Sequence, residues 1–334
     1  MKEQANIHQM LTWFLSKKSM HLDEEGSWVV EMIAKSICKN YNNLSNPQVK
    51  SNKLDVKIEF LEKKHYEDKD IKYLQPVIQL QDFINLNLKN YVIDFLVHGS
   101  LATMDYIKGW SDFDTLVIIK SEVIKDHTKL ISFRKKMIEA QSFLLKLDPL
   151  QHHGFIYSTE FDLDYYLSHC MPVEVLRESK SFISSSNLVI NYNRSNSDAK
   201  ILFKNKVSLF KKAFENGELH HHKYKGEYLL EDYKNNSAMY QMKYFLAVLM
   251  SLPVLYLDAL DKACYKRESF EIVKSDFLNE WEIMDKASII RLYWSHKEAH
   301  PFKNNEIPLW LKEELGYSYF ERAYKLAQAM LSKL

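Results

Sequence analysis

Residues 97–120 read VHGSLATMDYIKGWSDFDTLVIIK, and the fold turns on how that stretch is parsed. The residues leading into it, Tyr91 to Val97, are apolar and β-branched, which predicts a strand. Gly99 and Ser100 follow at once. Glycine permits a turn that a Cβ would obstruct, and serine suits a helix N-cap. The free N–H groups of a helix start are a natural place for phosphate. A second strand is expected over Asp112–Ile119. Residues two apart on a strand share a face. Asp112 and Asp114 would therefore project together, with Phe113 turned the other way into a core. Adjacent carboxylates repel one another unless a cation lies between them. Oxygen ligands of this kind suit Mg²⁺, which also holds substrate phosphates.

Gly99-Ser100, eleven intervening residues and then Asp112-Phe113-Asp114 resembles the signature of the DNA polymerase β-like nucleotidyltransferase superfamily. Ser111, immediately before the first acid, is similar to the serine found there in the small-molecule and minimal members. Two positions depart from the usual pattern: His98 stands before Gly99 and Thr115 after Asp114. Neither removes a catalytic atom. The match covers about thirty residues. The resemblance implies an α+β fold, with a small mixed β-sheet flanked by helices as the nucleotidyltransferase core and a C-terminal helical domain. It further implies Mg²⁺ on Asp112 and Asp114, an NTP as co-substrate, and Gly99, Ser100 and Ser111 about the nucleotide phosphates.

Composition narrows the alternatives. Of 334 residues, 46% are hydrophobic and 13% aromatic, enough for a sizeable core. The 45 basic and 44 acidic side chains leave a net charge of +1, which disfavours a long nucleic-acid partner. Three scattered cysteines, Cys38, Cys170 and Cys264, form neither a disulfide framework nor a zinc pattern. They fit a reducing cytoplasm. The first residues lack the apolar run of a signal peptide. The most apolar segment, residues 244–257, is shorter than the ~20 residues a membrane span needs and contains Pro253. It reads as a buried helix, with no membrane partner. Neither a Walker-type loop nor a dinucleotide fingerprint is present.

Along the chain, residues 1–60 read as an N-terminal helical packing segment, 61–190 as the nucleotidyltransferase domain, and 191–334 as the C-terminal helical domain. Leu54, Val56, Ile58 and Phe60 alternate with polar neighbours and suggest a strand or an edge hairpin. A helix is expected over residues 79–88, another over 121–147, and a third strand over 152–158. Residues 184–198, rich in Ser and Asn, read as a linker. Beyond it, helices are expected over 199–215, 227–249, 252–262, 269–281, 283–296 and 309–333.

The superfamily usually carries a third carboxylate on its third strand, where this chain has His152 and His153. His153 or His152 is one candidate for that role, since imidazole can serve as a base near neutral pH. Glu160 or Asp162 is another, and two acids alone are a third possibility. Lys266, beside Arg267, resembles a basic residue that some relatives send to the triphosphate; a solvated charge pair is the plainer reading. His220, His221 and His222 read as an exposed tract. The function expected is transfer of a nucleoside monophosphate to a hydroxyl or phosphate of a small-molecule acceptor, with release of pyrophosphate. A catalytically impaired nucleotide-binding regulator of the same fold, or a transferase acting on RNA or protein, is the alternative.

Overall fold

The computed structural model describes residues 2–16, 24–46, 52–148, 150–151, 153–166, 172–192, 196–217, 238–294, 309–316 and 318–334. Two compact units are present. Met1–Tyr106 and Ser111–Arg194 build the first; Ile107–Trp110 and the described residues after Ser195 belong to the second.

The first unit is a sheet layered with helices. In chain order it contains α1 (Lys2–Ser16), α2 (Glu24–Asn42), β1 (Asn52–Phe60), α3 (Lys63–Phe83), β2 (Val92–Val97) and α4 (Gly99–Ala102). There follow β3 (Thr115–Ile119), α5 (Ser121–Ile124), α6 (His127–Leu147), β4 (Ile156–Thr159), α7 (Glu160–Asp164), β5 (Lys180–Ser181) and β6 (Ser186–Tyr192). The strands form one mixed sheet in the order β4-β3-β2-β5-β1-β6. β3 is antiparallel to β2 and parallel to β4, pairing Leu116 with Ile156 and Ile119 with Thr159. The architecture is thus α+β, with a helical C-terminal region.

Alternation along the strands sorts their side chains onto two faces. Phe95, Val97, Phe113, Val117, Ile119 and Tyr157 join the larger core, together with Leu11 and Phe14 of α1, Ile37 of α2, Val77 of α3 and Phe133 of α6. Leu96, Leu116 and Ile118 point the other way, with Leu54, Val56 and Ile58 of β1. Tyr166 and Leu176 pack on that second face. Helices therefore cover one side of the sheet, and the even-numbered residues of β3 face the other.

The second unit is helical: α8 (Asn196–Asn216), α9 (Ala238–Leu249), α10 (Leu252–Ala259), α11 (Lys266–Lys274), α12 (Glu282–Tyr293), α13 (Leu309–Leu315) and α14 (Tyr319–Ser332). Its buried residues include Phe203, Phe210, Leu246, Leu257, Ile290, Leu326 and Met330. Trp110 meets Trp294 edge-on, ring centres 5.1 Å apart. Among the described residues no single helix is long and apolar enough to cross a membrane; residues 241–249 and 252–259 would pass only as a pair bent by 41°.

Several sequence expectations need correction. Residues 186–192 are a strand, not a linker, and pair with β1 from Asn52↔Tyr192 to Ile58↔Ser186. Leu188 and Ile190 are buried there while Asn187 and Val189 are exposed, a two-residue period too short to stand out among Ser and Asn. Residues 63–83 are helical where only the last few were expected to be, and Asp70 interrupts the helix with extended backbone, its carboxylate accepting from Tyr73 N. The helix expected over 121–147 is two, because Asp126 caps α6 by accepting from the N–H groups of Thr128 and Lys129. The segment 309–333 is likewise two helices. Lys266 and Arg267 open α11, which starts before the expected residue 269. The strand after α6 starts at Ile156, later than expected.

Candidate functional site

Both acids precede their strand. β3 begins at Thr115, and Asp114 extends the ladder by one bond, its carbonyl accepting from His98 N at 3.0 Å. Further back the ladder stops, and the Gln151 side chain replaces it. Phe113 N donates to Gln151 Oε1 at 2.8 Å, and Gln151 Nε2 donates to Phe113 O at 3.3 Å. A primary amide thus pairs with the Phe113 peptide as a neighbouring strand would. Phe113 is fully buried in the larger core, its ring edge-on to that of Phe182. Anchoring it there turns Asp112 and Asp114 to the opposite face.

Asp112, Asp114 and His153 converge, one ligand atom from each lying within 4.8 Å of the others. His153 Nε2 is 2.8 Å from Asp114 Oδ1. His153 Nδ1 is 2.9 Å from Gly154 O. A carbonyl only accepts, so Nδ1 carries a hydrogen. Burial by itself would lower the His153 pKa. The hydrogen bond and charge of Asp114, the charge of Asp112 and the Gly154 carbonyl outweigh it and lift the group to about 9. Burial likewise works against the charged form of Asp114, yet His153 and then His98 hold that carboxyl below the usual range despite Asp112.

Gly99 closes the site from the side of β2. Its φ is +65°, and a Cβ placed on it would lie 2.6 Å from Asp114 Oδ2. The turn and the second acid are therefore packed against one another. α4 is a single turn, and its N-cap is His98, not Ser100. Tyr66 of α3 donates to Leu101 O at 2.7 Å, and Lys69 Nζ donates to Met104 O at 2.6 Å, tying the turn to α3. Ser100 is half-buried and Ser111 buried. His98 is 7% exposed, and its Nε2 has no hydrogen-bond partner among the described residues. Burial lowers its pKa, Asp114 opposes that shift, and His153 adds to it.

Of the remaining candidates, Asp162 and Glu160 lie elsewhere in the first unit. Asp162 is buried at the other end of β4, where it accepts from Thr159 N and from Gln4 Nε2 and lies 2.9 Å from His8 Nε2. Glu160 accepts from Ser121 N. Neither joins Asp112 and Asp114. Lys266 belongs to the second unit. His152 and His220 to His222 lie outside the described residues.

One contributor to the site and one buried acid away from it escape sequence inspection. Gln151 has no motif to mark it, and its role appears only once the Phe113 peptide is placed beside it. Asp94, buried on β2, accepts from Ser181, Ser186 and Phe95 N, and burial raises its pKa despite those bonds. Its two serine partners come from β5 and β6 and are distant in sequence.

No protein-family model, curated protein or solved structure matches this chain.

Proposed function

We propose that the chain is a divalent-cation-dependent nucleotidyltransferase that moves a nucleoside monophosphate from an NTP to a hydroxyl or phosphate oxygen of a small acceptor. The observation that carries this reading is the convergence of Asp112, Asp114 and His153 at a turn whose glycine leaves no room for a Cβ beside Asp114. Two carboxylates and an imidazole are a donor set a divalent ion accepts. When bound, such an ion would neutralise phosphate charge and lower the pKa of the attacking oxygen.

In the reaction, the acceptor oxygen attacks the α-phosphorus. The new O–P bond forms as the bond to the β-phosphate oxygen breaks, pyrophosphate leaves, and the acceptor proton passes to solvent or a nearby base. Asp112 and Asp114 would set the metal position, and hence the line of attack. The Gly99 and Ser100 backbone and the Ser100 hydroxyl would receive the β- and γ-phosphates. Such transfer asks the protein mainly for positioning and charge stabilisation. The near-neutral chain favours a small acceptor over a long RNA, whose binding draws on phosphate neutralisation. Burial followed by the Asp126 charge pushes the Cys38 thiol up to about 11, and the scattered cysteines are the ground for the cytoplasmic setting we propose.

The test is release of pyrophosphate from each of the four common NTPs across a panel of hydroxylated and phosphorylated acceptors. Asp112→Ala and Asp114→Ala should each abolish release while the far-UV circular dichroism stays that of the parent. Near-parental transfer by either variant would overturn the assignment.

A further inference from the structure

The third position of the acid cluster is an imidazole, and its geometry is that of a ligand. Nδ1 of His153 lies 2.9 Å from Gly154 O, nearer than Gln151 Nε2 at 3.4 Å, and donates to the carbonyl. That bond fixes the ring and leaves Nε2 to present its lone pair when the ring is neutral. Nε2 stands 2.8 Å from Asp114 Oδ1. Two donors at right angles, each about 2.1 Å from one ion, lie about 3 Å apart. The 2.8 Å separation is close to the spacing one ion holding both atoms would set. With a single nitrogen left, His153 can hold a cation or accept the acceptor's proton, but not both at once.

A second observation concerns the imidazole beside the same cluster. His98 is buried within electrostatic reach of Asp114 and His153, and its Nε2 has no hydrogen-bond partner among the described residues. Buried polar atoms are ordinarily paired. An ion-bound water or a phosphate oxygen would satisfy this one. Among the carboxylates nearby in sequence, Asp162 and Glu160 are engaged elsewhere, by Thr159 and Gln4 and by Ser121 respectively.

We propose that His153 Nε2 is the third protein ligand of the cation held by Asp112 and Asp114, and that it makes the site prefer Mn²⁺ to Mg²⁺. Mg²⁺ is hard and takes oxygen donors, as three carboxylates would supply. Exchanging one carboxylate for an imidazole removes a negative charge and adds a nitrogen donor. Mn²⁺ accepts the octahedral oxygen set that phosphates and carboxylates provide, and as a transition metal it also binds imidazole. The inference rests on the reading of Asp112 and Asp114 as cation ligands and adds the identity of the ion.

The experiment uses the full chain, stripped with EDTA, with Mn²⁺ alone as the probe. Free Mn²⁺ is followed by electron paramagnetic resonance, Mg²⁺ is added in competition, and nitrogen coupling to bound Mn²⁺ is read by pulsed methods. The parent should bind Mn²⁺ roughly tenfold or more tightly than Mg²⁺, with a nitrogen coupling that persists in His98→Phe. In His153→Asp the coupling should vanish and the Mn²⁺ to Mg²⁺ preference shrink about tenfold, while circular dichroism and the melting curve report a folded chain. A parent without nitrogen coupling, or an unchanged preference in folded His153→Asp, overturns the inference. If Mn²⁺ binding is still lost in Asp114→Ala in that case, the nucleotidyltransferase reading survives on the two acids. If no divalent ion binds the parent at all, and Asp112→Ala leaves NTP turnover intact, both fall together.

Discussion

At Gly99 there is no space for a side chain. Its φ of +65° lies where L-residues pay about 1–2 kcal/mol, and Asp114 Oδ2 occupies the place a Cβ would take. Gly99→Ala should therefore cost at least that strain in denaturant unfolding. It should also turn the Asp114 carboxylate aside, so that Mn²⁺ affinity falls with the fold retained. An alanine variant binding Mn²⁺ as the parent does would show that the turn and the acid are not one site. That Gly99, Asp112 and Asp114 lie together was legible from residue type and spacing alone, because each property is local. Glycine alone tolerates the turn, and two acids flanking a buried aromatic share a side. His153 was legible only as one of several candidates. Choosing among them needed Asp162 and Glu160 to be placed, and each answers to partners on other elements.

Among elements, the acids turn out to sit on a short loop and not within β3. The loop is held in strand-like register by the Gln151 amide. Gln151→Ala would leave a buried Phe113 N–H without its acceptor. The expected cost is about 1–3 kcal/mol, read as a lower denaturation midpoint together with weaker cation binding. Unchanged stability and binding would mean that Phe113 is held by its ring alone. Sequence patterning located β2, the body of β3 and most of α6, whose apolar periods are strong. It misplaced residues 186–192, since that strand exists through seven pairings with β1, more than a hundred residues away in the chain. A strand whose support is so distant leaves little local signal.

For the molecule as a whole, α1 is tied to the segment after β4, within the first unit, by a buried pair. His8 Nε2 lies 2.9 Å from Asp162 Oδ2. Burial opposes the charged imidazole, but the Asp162 charge and hydrogen bond and the Tyr157 carbonyl raise the His8 pKa above its ordinary 6.5. Burial similarly opposes the Asp162 carboxylate, while His8, Gln4 and Thr159 bring it below its ordinary 3.8. A raised histidine stabilises fully below 6.5 and loses that contribution as pH climbs through its folded value. A lowered aspartate stabilises above 3.8 and loses that contribution as pH falls through its folded value. The pair therefore supports the fold most between those limits. In EDTA, the denaturation midpoint should drop as pH rises above 6.5, the ordinary histidine value, and His8→Gln should show a smaller drop. Part of the drop should remain, because His153, lifted to about 9, acts with the same sign. An identical drop in parent and variant would remove His8 from this account.

What the chain's own sequence determined was a chemical vocabulary: a glycine turn, two acids two residues apart, and enough apolar periodicity for a sheet with helices. Those are properties of neighbours, and neighbours are what sequence records. The tertiary structure decided which third side chain meets the acids, which amide holds them, and which strands complete the sheet. Each of those depends on atoms far apart along the chain, brought together only when the core around Phe113 and Phe95 has formed.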